Sequence, residues 1–302
     1  MSTEGLDDVK QKWNKHSNHK NNQQNILFQT DCRILKREDR QVSVTQTPLL
    51  EAKGVTKYFG AITALRNVNF HVNAGEALGV VGDNGAGKST LMKILSGLYQ
   101  PSEGQLIFEG QPVHFSSPRV ARNSGIEMVY QDFALAGNLP IYENIYLGRE
   151  PGTKVGGLTV IDRAREREMA QAHLDKLKIH VKSVDQPVEE LSGGQRQAVA
   201  IARATAFDAK VVIMDEPTAA LAIKEVGKVL DLIKTLKEHG VAVIIISHRM
   251  DDIFYACDRV MALFQGTNFA DAPLVETNRN EVIGWIMGTK GHTAQLAHDK
   301  VH

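Results

Sequence analysis

The chain has 302 residues, 42% of them hydrophobic and 6% aromatic, and its 35 lysines and arginines balance its 35 aspartates and glutamates. This length and composition are typical of a globular chain that can bury a core, and they exclude a collagen-like or wholly disordered protein. A formal net charge of zero provides no strong attraction to nucleic acid or to anionic lipid.

Cysteine content and hydropathy give expectations about the cellular setting. The two cysteines, Cys32 and Cys257, lie far apart and form no metal or redox motif, which favours a reduced, cytoplasmic setting. The apolar run at 241–246 is among the longest and is too short to span a bilayer, and the N-terminus has mixed charges rather than an apolar signal core. We therefore expect neither a membrane span nor a secretory signal.

The N-terminal segment differs in composition from the rest of the chain. Residues 11–25 are rich in Asn, Gln, Lys and His, with Trp13 as their large apolar side chain. Such a segment buries too little apolar surface to offset the entropy of ordering, so residues 1–47 are predicted to form a disordered polar extension. The remainder is predicted to be one α/β domain over 48–290, followed by a tail at 291–302.

Apolar periodicity and turn residues predict the elements of this domain in chain order. Strands are predicted at 49–59, 64–72, 76–82, 105–115 (a hairpin turning at Glu109 and Gly110), 209–217, 241–248 and 258–266. Helices are predicted at 88–98, 224–240 and 278–288, with a mostly helical, charged stretch at about 141–190. Helices that alternate with continuously apolar strands indicate a mostly parallel sheet covered on both faces.

The segment 82–89 reads GDNGAGKS and lies between a predicted buried strand and a predicted helix. It fits the pattern G-x-x-x-x-G-K-[ST], in which glycines let several backbone N–H groups turn inward and form an anion cradle with the helix N-terminus. Lys88 is then placed to reach the β- and γ-phosphates of a nucleotide, and the Ser89 hydroxyl to bind Mg²⁺. The alternative is a glycine turn before an ordinary helix, which the strand–loop–helix context disfavours.

A second motif, VVIMDEP at 211–217, is an apolar strand that ends in two acids. Asp215 is suited to hold Mg²⁺ through water, and Glu216 to polarise an attacking water. The alternative is that one acid merely caps the following helix. Two acids at a strand end need a nearby cation to offset their charge, and a phosphate loop implies one.

The run LSGGQRQ at 191–197 precedes a helical run of small residues. Its Ser192, Gly193 and Gly194 open that helix and form a second anion cradle. One triphosphate cannot easily occupy two cradles of one domain, so this cradle is predicted to serve a nucleotide held by another subunit. The alternative is a polar helix start without a ligand.

With these three motifs in order, residues 48–290 resemble the ATP-binding cassette (ABC) family, of which LSGGQ is the signature. The resemblance implies a P-loop NTPase of the α/β class. Its core sheet would be mostly parallel, with an N-terminal antiparallel β-subdomain and a helical subdomain at about 132–190. The resemblance also implies ATP and Mg²⁺ as cofactors and ATP hydrolysis as the reaction.

Three further positions take their roles from this resemblance. Phe59, with Tyr58 as a lesser candidate, matches the aromatic residue that stacks on adenine. Gln131 matches the glutamine that contacts Mg²⁺ or water, and His248 matches the histidine that contacts the γ-phosphate. Without the resemblance, Phe59 would as readily be a core aromatic and His248 a structural residue.

The residues implied in this way form three overlapping sets. The nucleotide would contact Phe59, Gly82, Asp83, Asn84, Gly85, Ala86, Gly87, Lys88, Ser89, Thr90, Gln131, Ser192, Gly193, Gly194 and Gln195. The Mg²⁺ ion would be held by Ser89, Gln131 and Asp215. Hydrolysis would depend on Glu216, His248 and Lys88.

One position departs from the family pattern. After DEPT the family usually reads S-A-L-D, whereas residues 219–222 read AALA, so Ala222 replaces the aspartate that helps couple the two composite sites. Together with ENIYLGREP at 143–151, this run resembles the ATPase subunits of bacterial monosaccharide importers of the ribose, xylose and fructose type. The departure bears on the strength of that coupling rather than on nucleotide binding.

The resemblance also implies partners. A second ATPase subunit, predicted to be another copy of this chain, would complete both nucleotide sites, and membrane permease subunits would dock beside Gln131. A periplasmic or extracellular solute-binding protein would act indirectly, no nucleic acid is expected, and the chain would lie at the cytoplasmic face of the cell membrane. The alternatives left open are an importer of another solute, a cytosolic ABC ATPase without transport, and a module that binds ATP without turnover.

Overall fold

The computed structural model describes residues 47–155 and 158–289. The predictions of a disordered extension over 1–47 and of a tail over 291–302 concern residues that, apart from Thr47, lie outside the described residues. Within the described ranges, no helix has both the length and the apolar character that crossing a bilayer requires.

The described part of the chain contains twelve strands and eight α-helices. The strands are β1 (Leu50–Phe59), β2 (Ile62–Val72), β3 (Ala77–Val81), β4 (Glu103–Phe108), β5 (Gln111–Val113), β6 (Ile126–Val129), β7 (Gly152–Val155), β8 (Leu158–Ile161), β9 (Val211–Asp215), β10 (Ala242–Ile246), β11 (Arg259–Phe264) and β12 (Thr267–Pro273). The helices are α1 (Lys88–Leu95), α2 (Pro118–Asn123), α3 (Ile141–Tyr146), α4 (Arg163–Lys176), α5 (Gly193–Thr205), α6 (Ile223–Glu238), α7 (Met250–Ala256) and α8 (Arg279–Ile286).

Two sheets form the body of the fold. The larger has the strand order β12-β11-β3-β10-β9-β6, and its neighbouring strands are parallel except for β11 with β12. The smaller sheet is antiparallel and has the order β2-β1-β4-β5. The predicted fold class, a mostly parallel core sheet with an N-terminal antiparallel sheet and covering helices, is therefore confirmed.

Alternation along the core strands divides their apolar residues between the two faces of the larger sheet. In β10, which reads AVIII and is fully buried, Val243 and Ile245 belong to one hydrophobic cluster, and Ile244 and Ile246 to the other. β3 is likewise buried throughout. Burial on both faces explains why these strands are continuously apolar, and each fully buried Val or Ile contributes about 1.5–3 kcal/mol through the hydrophobic effect.

The spacing of buried residues in β2 follows from a bulge. Leu65 and Val68 are both fully buried although they are three residues apart, which a regular strand would not allow. The pairing register with β1 shifts at this point, and Asn67 adopts a left-handed φ of 49°. The Asn67 N–H donates to Thr56 Oγ1 at 3.0 Å, so the irregular backbone keeps a hydrogen bond.

The prediction of a mostly helical stretch at 141–190 is wrong in its middle part. There, α3 and α4 are separated by an antiparallel hairpin of β7 and β8. The run GTKVGGLTVI at 152–161 has β-branched residues on both sides of a Gly-Gly pair, which is a local signal for a hairpin. The charged composition of α4, which follows the hairpin, obscured this signal.

The prediction also differs from the structure at one helix end and in the elements that it omits. The helix predicted at 88–98 ends earlier because Gly97 has a left-handed φ of 74°, and Leu98 is then 48% exposed. The prediction also lacks β12. The turn before it, at Gln265 and Gly266, has φ of 48° and 78°, the left-handed pair that the tightest hairpins require.

The Arg259 guanidinium on β11 links the two sheets. It donates to both carboxylate oxygens of Asp271 on β12, at 2.6 and 2.7 Å, and to Glu76 Oε1 before β3 at 2.6 Å. It also donates to the His71 carbonyl oxygen on β2, in the antiparallel sheet, at 2.6 Å. The three charged side chains are largely buried, so each depends on the others for charge compensation.

We expect Arg259→Gln to lower the free energy of unfolding by about 3 kcal/mol, because it leaves the Glu76 and Asp271 carboxylates largely buried without their cation. Urea unfolding at neutral pH, followed by circular dichroism, measures this loss. Arg279→Gln is the matched control, since its ion pair with Asp251 is exposed and its loss should cost less than about 1 kcal/mol. Equally small losses in both variants would contradict the role of Arg259 as a link.

Candidate functional site

The carboxyl edge of the parallel sheet gathers most of the predicted site residues. Ile246, the last residue of β10, pairs with Asp215 at the end of β9 and with Val80 near the end of β3. Val129, the last residue of β6, pairs with Met214. Because these parallel strands end in register, the segments that follow them begin at one edge of the sheet. Those segments carry Gly82, Gln131, Glu216 and His248.

The phosphate-loop backbone accepts only glycine at two positions. Gly82 has a φ of 149°, and a Cβ there would lie 2.4 Å from the Leu263 carbonyl oxygen. Gly87 has a φ of 101°, and a Cβ there would lie 2.6 Å from Leu65 Cδ2. Between them, residues 83–85 are exposed. The loop therefore turns tightly against the sheet while its outer side, next to the α1 N-terminus, remains accessible to an anion.

Lys88 is a buried cation inside this loop. Its Nζ donates to the Gly82 carbonyl oxygen at 2.7 Å and to the Asp83 carbonyl oxygen at 3.0 Å. Burial lowers the pKa of Lys88, and the carboxylates of Glu216, Asp83 and Asp215 oppose this shift. A poorly hydrated ammonium group at an accessible anion cradle can bind phosphate oxygens strongly.

Asp215 and Glu216 are partly buried where β9 ends. Burial raises the pKa of the Asp215 carboxyl, and Lys88 is the main group that opposes this shift. Burial also raises the pKa of the Glu216 carboxyl, which His248 opposes. Glu216 has a left-handed φ of 49°, and its backbone N–H donates to the Ile246 carbonyl oxygen at 2.9 Å, which fixes the turn after the strand.

Glu216 and His248 lie side by side at the sheet edge. His248 Nε2 is 3.3 Å from Glu216 Oε1. The His248 backbone N–H also donates to the Glu216 carboxylate, whereas Oε1, although buried, accepts no hydrogen bond from the described residues. A buried carboxylate oxygen with free acceptor capacity, at the raised pKa described above, is suited to accept a proton from water.

The predicted adenine-stacking residue lies at the end of β1. Phe59 is 42% exposed, so it is not a core aromatic. Its ring meets Tyr99 edge-on, with centroids 5.3 Å apart and planes at 70°. The Lys57 ammonium lies 5.3 Å from the Phe59 ring centre and donates to the Gln100 carbonyl oxygen at 2.8 Å. Tyr99 was not predicted as a site residue, because no local sequence pattern marks it.

The LSGGQ segment opens α5 with a capping box. The Gln195 N–H donates to Ser192 Oγ at 3.3 Å, and the Ser192 N–H donates to Gln195 Oε1 at 3.2 Å. Among the described residues, neither side chain hydrogen-bonds to the phosphate loop; Gln195 instead donates to the His180 carbonyl oxygen at 3.4 Å. The structure thus brings one set of predicted residues to the same edge of the sheet: Gly82, Lys88, Asp215, Glu216 and His248. The hydrogen bonds of Ser192 and Gln195 join them to each other and to His180 instead.

Glu225, in the first turn of α6, lies beside the LSGGQ segment and was not predicted from the sequence. Hydrogen bonds from the Ser192 side chain and then from the Gly194 backbone N–H lower the pKa of the Glu225 carboxyl, even though partial desolvation opposes them. A Cβ on Gly194 would lie 2.7 Å from the Glu225 Cβ. The glycine therefore lets α5 and α6 approach closely, and an acid of this chain contacts the predicted anion cradle.

Ala222, the departure from the family pattern, is the N-cap residue of α6. It has extended backbone but makes no side-chain cap hydrogen bond. An aspartate at this position would offer a side-chain acceptor to the backbone N–H groups of the first helical turn and interact favourably with the helix dipole. The replacement therefore also removes a stabilising interaction from α6.

We expect Ala222→Asp to raise the free energy of unfolding by about 1 kcal/mol through this new cap. Urea unfolding of the full chain measures the change. Ala219→Asp adds the same charge at another exposed position before the helix and should change stability by less than about 0.5 kcal/mol. Equal effects of the two substitutions would attribute any gain to charge alone.

Together these features define a class of protein. A glycine-dependent loop between a buried strand and a helix holds a poorly hydrated lysine, and an acid pair ends a neighbouring parallel strand. This combination is that of a P-loop nucleotide-binding protein.

Comparison with known proteins identifies the family. The sequence pattern of ABC transporters matches residues 65–219. The chain is 47% identical over 234 residues to the xylose/arabinose import ATP-binding protein of Sulfolobus acidocaldarius. These residues are 78% of this chain and 92% of that relative. It is also 47% identical to the fructose import ATP-binding protein of Rhizobium meliloti over 221 residues, which are 72% of this chain and 85% of that relative. A ribose import ATP-binding protein of Rubrobacter xylanophilus is 42% identical over 241 residues, which are 80% of this chain but 48% of that relative.

Solved structures give the same result. A dimeric ATP-binding cassette in a post-hydrolysis state with ADP and Pi has a TM-score of 0.62 and 29% identity, covering 74% of this chain and 98% of that one. The ADP conformation of another cassette has a TM-score of 0.66 and 27% identity, covering 80% and 95%. The chain therefore belongs to the ABC transporter family, and it is an ATP-binding subunit of the ABC-type ATPase class.

Proposed function

We propose that this chain hydrolyses ATP to drive the uptake of a monosaccharide through a separate membrane permease. The observation that carries the proposal is 47% identity, over most of both chains, to ATP-binding proteins named for xylose/arabinose and for fructose import. The likeness to a protein named for ribose import supports the same solute class.

In this proposal, Phe59 stacks on adenine and residues 82–90 surround the phosphates. The 42% exposure of Phe59 supports the first role, because it leaves part of the side chain accessible for stacking. Lys88 exchanges its two carbonyl acceptors for β- and γ-phosphate oxygens. Because these oxygens are charged, they are stronger acceptors than the carbonyls they replace.

Ser89, Gln131 and Asp215 would hold the Mg²⁺ ion that accompanies ATP. Among the described residues, no group of three or more His, Cys, Asp or Glu side chains forms a metal cage. A hydroxyl, an amide and one carboxylate suit Mg²⁺, which is usually bound by one or two carboxylates together with substrate phosphates. Bound there, the ion would neutralise developing charge on the phosphates. The raised pKa of the partly buried Asp215 carboxyl also fits a position that requires a cation.

Glu216 acts as the group that accepts a proton from the attacking water. Two observations support this role: Oε1 accepts no hydrogen bond from the described residues, and the His248 ring lies beside it. His248 contacts the γ-phosphate and keeps the carboxylate in place, and Lys88 stabilises charge that develops on the phosphate oxygens. The step ends with the proton on Glu216 and the phosphate released from ADP.

A second ATPase subunit completes each nucleotide site, and we propose that it is another copy of this chain. The N-terminus of α5, at Ser192, is an anion site that this chain's own phosphate loop does not contact. A cassette similar to this chain has been solved as a dimer with ADP and Pi. In the assembly, Ser192, Gly193, Gly194 and Gln195 of one copy close over the γ-phosphate held by the other.

The permease docks in a groove of about 250 Å³ beside the turn that contains Gln131, which we call the surface groove. Its lining includes Arg122, Glu127, Tyr130, Leu147, Arg149 and Phe207. Tyr130 and Leu147 are 40% and 52% exposed, so the groove presents apolar as well as charged side chains to a partner. The groove therefore suits a short amphipathic helix of the permease, and docking there places the chain at the cytoplasmic face of the membrane.

Uptake of labelled sugars tests the proposal. Cells that lack this chain are complemented with the wild type or with Glu216→Gln and are given labelled xylose, arabinose, fructose or ribose separately. We expect the wild type alone to restore uptake of at least one sugar. Restored uptake of an amino acid instead would contradict the sugar assignment, and ATP hydrolysis without restored uptake of any solute would favour an ABC ATPase that does not transport.

A further inference from the structure

The turn after Gln131 contains two consecutive strained residues. Phe133 and Ala134 have φ of 62° and 47°, in the left-handed region that is unfavourable for residues with a Cβ. Backbone of this kind persists only where surrounding contacts hold it. We call Phe133 and Ala134 the strained pair.

Helix α5 provides those contacts. The Arg203 guanidinium donates through Nη2 to the Phe133 carbonyl oxygen at 3.1 Å and through Nη1 to the Ala134 carbonyl oxygen. The Arg196 guanidinium lies 5.9 Å from the centre of the Phe133 ring. α5 begins at the Ser192 cap, so the helix that opens with LSGGQ also holds the strained pair near its other end.

Asn144 on α3 fixes the next part of the same loop. Its fully buried side chain accepts from the Ala136 N–H at 2.8 Å and donates to the carbonyl oxygens of Ala136 at 2.9 Å and Leu139 at 3.1 Å. The loop is thus anchored at Ala136 on one side and at β6 on the other. If the backbone near Gln131 changes its conformation, the change in dihedral angles is therefore concentrated in the strained pair.

Arg203 also borders the surface groove, together with Ala134, Tyr130 and Leu147. A helix that enters this groove meets the same guanidinium that holds the two carbonyl oxygens. Carbonyl hydrogen bonds to a guanidinium require its planar fork in one orientation, so a displaced Arg203 cannot keep both of them.

We infer that Arg203 is a positioning residue that couples the surface groove to Gln131. Contact with an occupant of the groove turns the guanidinium away from the Phe133 and Ala134 carbonyls, the strained pair relaxes, and Gln131 moves with it. Because Arg203 belongs to α5, the same contact acts on the helix of the LSGGQ segment. This inference rests on the proposed docking of a permease in the groove.

Arg203→Gln tests the coupling, with Arg122→Gln as the matched control. Both arginines border the groove near Glu127, but Arg122 makes no hydrogen bond to the strained pair. Either variant leaves Glu127 paired with Arg149, at 2.9 Å, so a folded protein is expected in both cases. Arg203→Lys keeps the charge but loses the fork, and it serves as the second variant if Arg203→Gln does not fold.

Two measurements are made on each variant. Hydrogen exchange of the full chain alone should become faster at residues 131–135 in Arg203→Gln and Arg203→Lys, with other segments unchanged, and should stay unchanged in Arg122→Gln. ATP turnover is then measured for the chain alone and for the chain purified together with its permease in proteoliposomes. We expect the ratio of the second rate to the first to fall at least about fivefold in the Arg203 variants, with KM for ATP within about twofold.

The outcomes separate three possibilities. Unchanged exchange at 131–135, or an unchanged rate ratio, would overturn the coupling by Arg203. An unchanged ratio that comes with equal losses of both rates would assign Arg203 a merely structural role. If the wild-type chain itself is not stimulated by the permease, it is the proposed docking that fails, while the exchange result still decides whether Arg203 holds the strained pair.

Discussion

Glu216→Gln is expected to reduce ATP turnover at least about a hundredfold while ATP affinity stays within about threefold. The amide has nearly the size of the carboxylate and can still accept the hydrogen bond from the His248 backbone N–H. It cannot accept a proton from water, so the loss falls on the chemical step rather than on binding. Phosphate release measures turnover, and calorimetry with ATP and Mg²⁺ measures affinity.

The matched control for this prediction is Glu238→Gln. Glu238 is an exposed acid at the end of α6, and its replacement removes the same charge at a distance from the sheet edge. Its turnover should stay within about twofold of the wild type. Turnover of Glu216→Gln at a similar rate would show that another group activates the water.

The pH dependence of the rate gives a second reading of the same residue. Burial raises the pKa of Glu216, and His248 opposes this shift. A general base acts in its deprotonated form, so the wild-type rate should fall as the pH drops through this raised pKa and should level off above it. The residual rate of Glu216→Gln should lack this fall. An identical acid limb in the variant would assign the limb to a different group.

The loops at the sheet edge were predictable because each follows a run of buried apolar residues. The phosphate loop follows β3, the acid pair follows β9, and His248 follows β10, and parallel strands in register bring these ends together. That His248 lies near Glu216 follows from the pairing of β10 with β9, whereas the 3.3 Å distance between their side chains comes from the structure alone. The bulge at Asn67 also corresponds to a feature of the sequence, the three-residue spacing of the buried Leu65 and Val68 in β2.

The side chains that support these loops were not predictable from sequence. Tyr99 against Phe59, Glu225 against Ser192 and Arg203 against Phe133 each join segments that are distant in the chain. Such contacts depend on how helices pack on the sheet, and a single sequence carries no periodicity that marks them. The hairpin at 152–161 differs, because its signal was local: a Gly-Gly pair in the sequence, shortly before the charged helix α4.

Lys88→Ala is expected to weaken ATP binding at least about a hundredfold, because two charge-assisted hydrogen bonds to phosphate oxygens are lost. The variant also changes the loop before ATP binds. Lys88 Nζ donates to the Gly82 and Asp83 carbonyl oxygens, so the unliganded loop loses two of the hydrogen bonds that shape it. The variant also removes the main cation that opposes the raised pKa of Asp215, so the acid pair takes up protons more readily.

Lys93→Ala is the matched control, which shows whether ATP binding depends on where the positive charge lies or only on the net charge. Lys93 lies on the same helix, and its ammonium is 5.4 Å from the Tyr99 ring centre rather than inside the phosphate loop. Both variants lose one positive charge and a similar length of side chain, but Lys93 donates to no carbonyl of the loop. Calorimetry with ATP and Mg²⁺ should therefore place Lys93→Ala within about threefold of the wild type. If both variants bound ATP with unchanged affinity, residues 82–89 would not be the phosphate site. Equal weakening of both would show that the net charge at the sheet edge, rather than a lysine desolvated within the loop, governs binding.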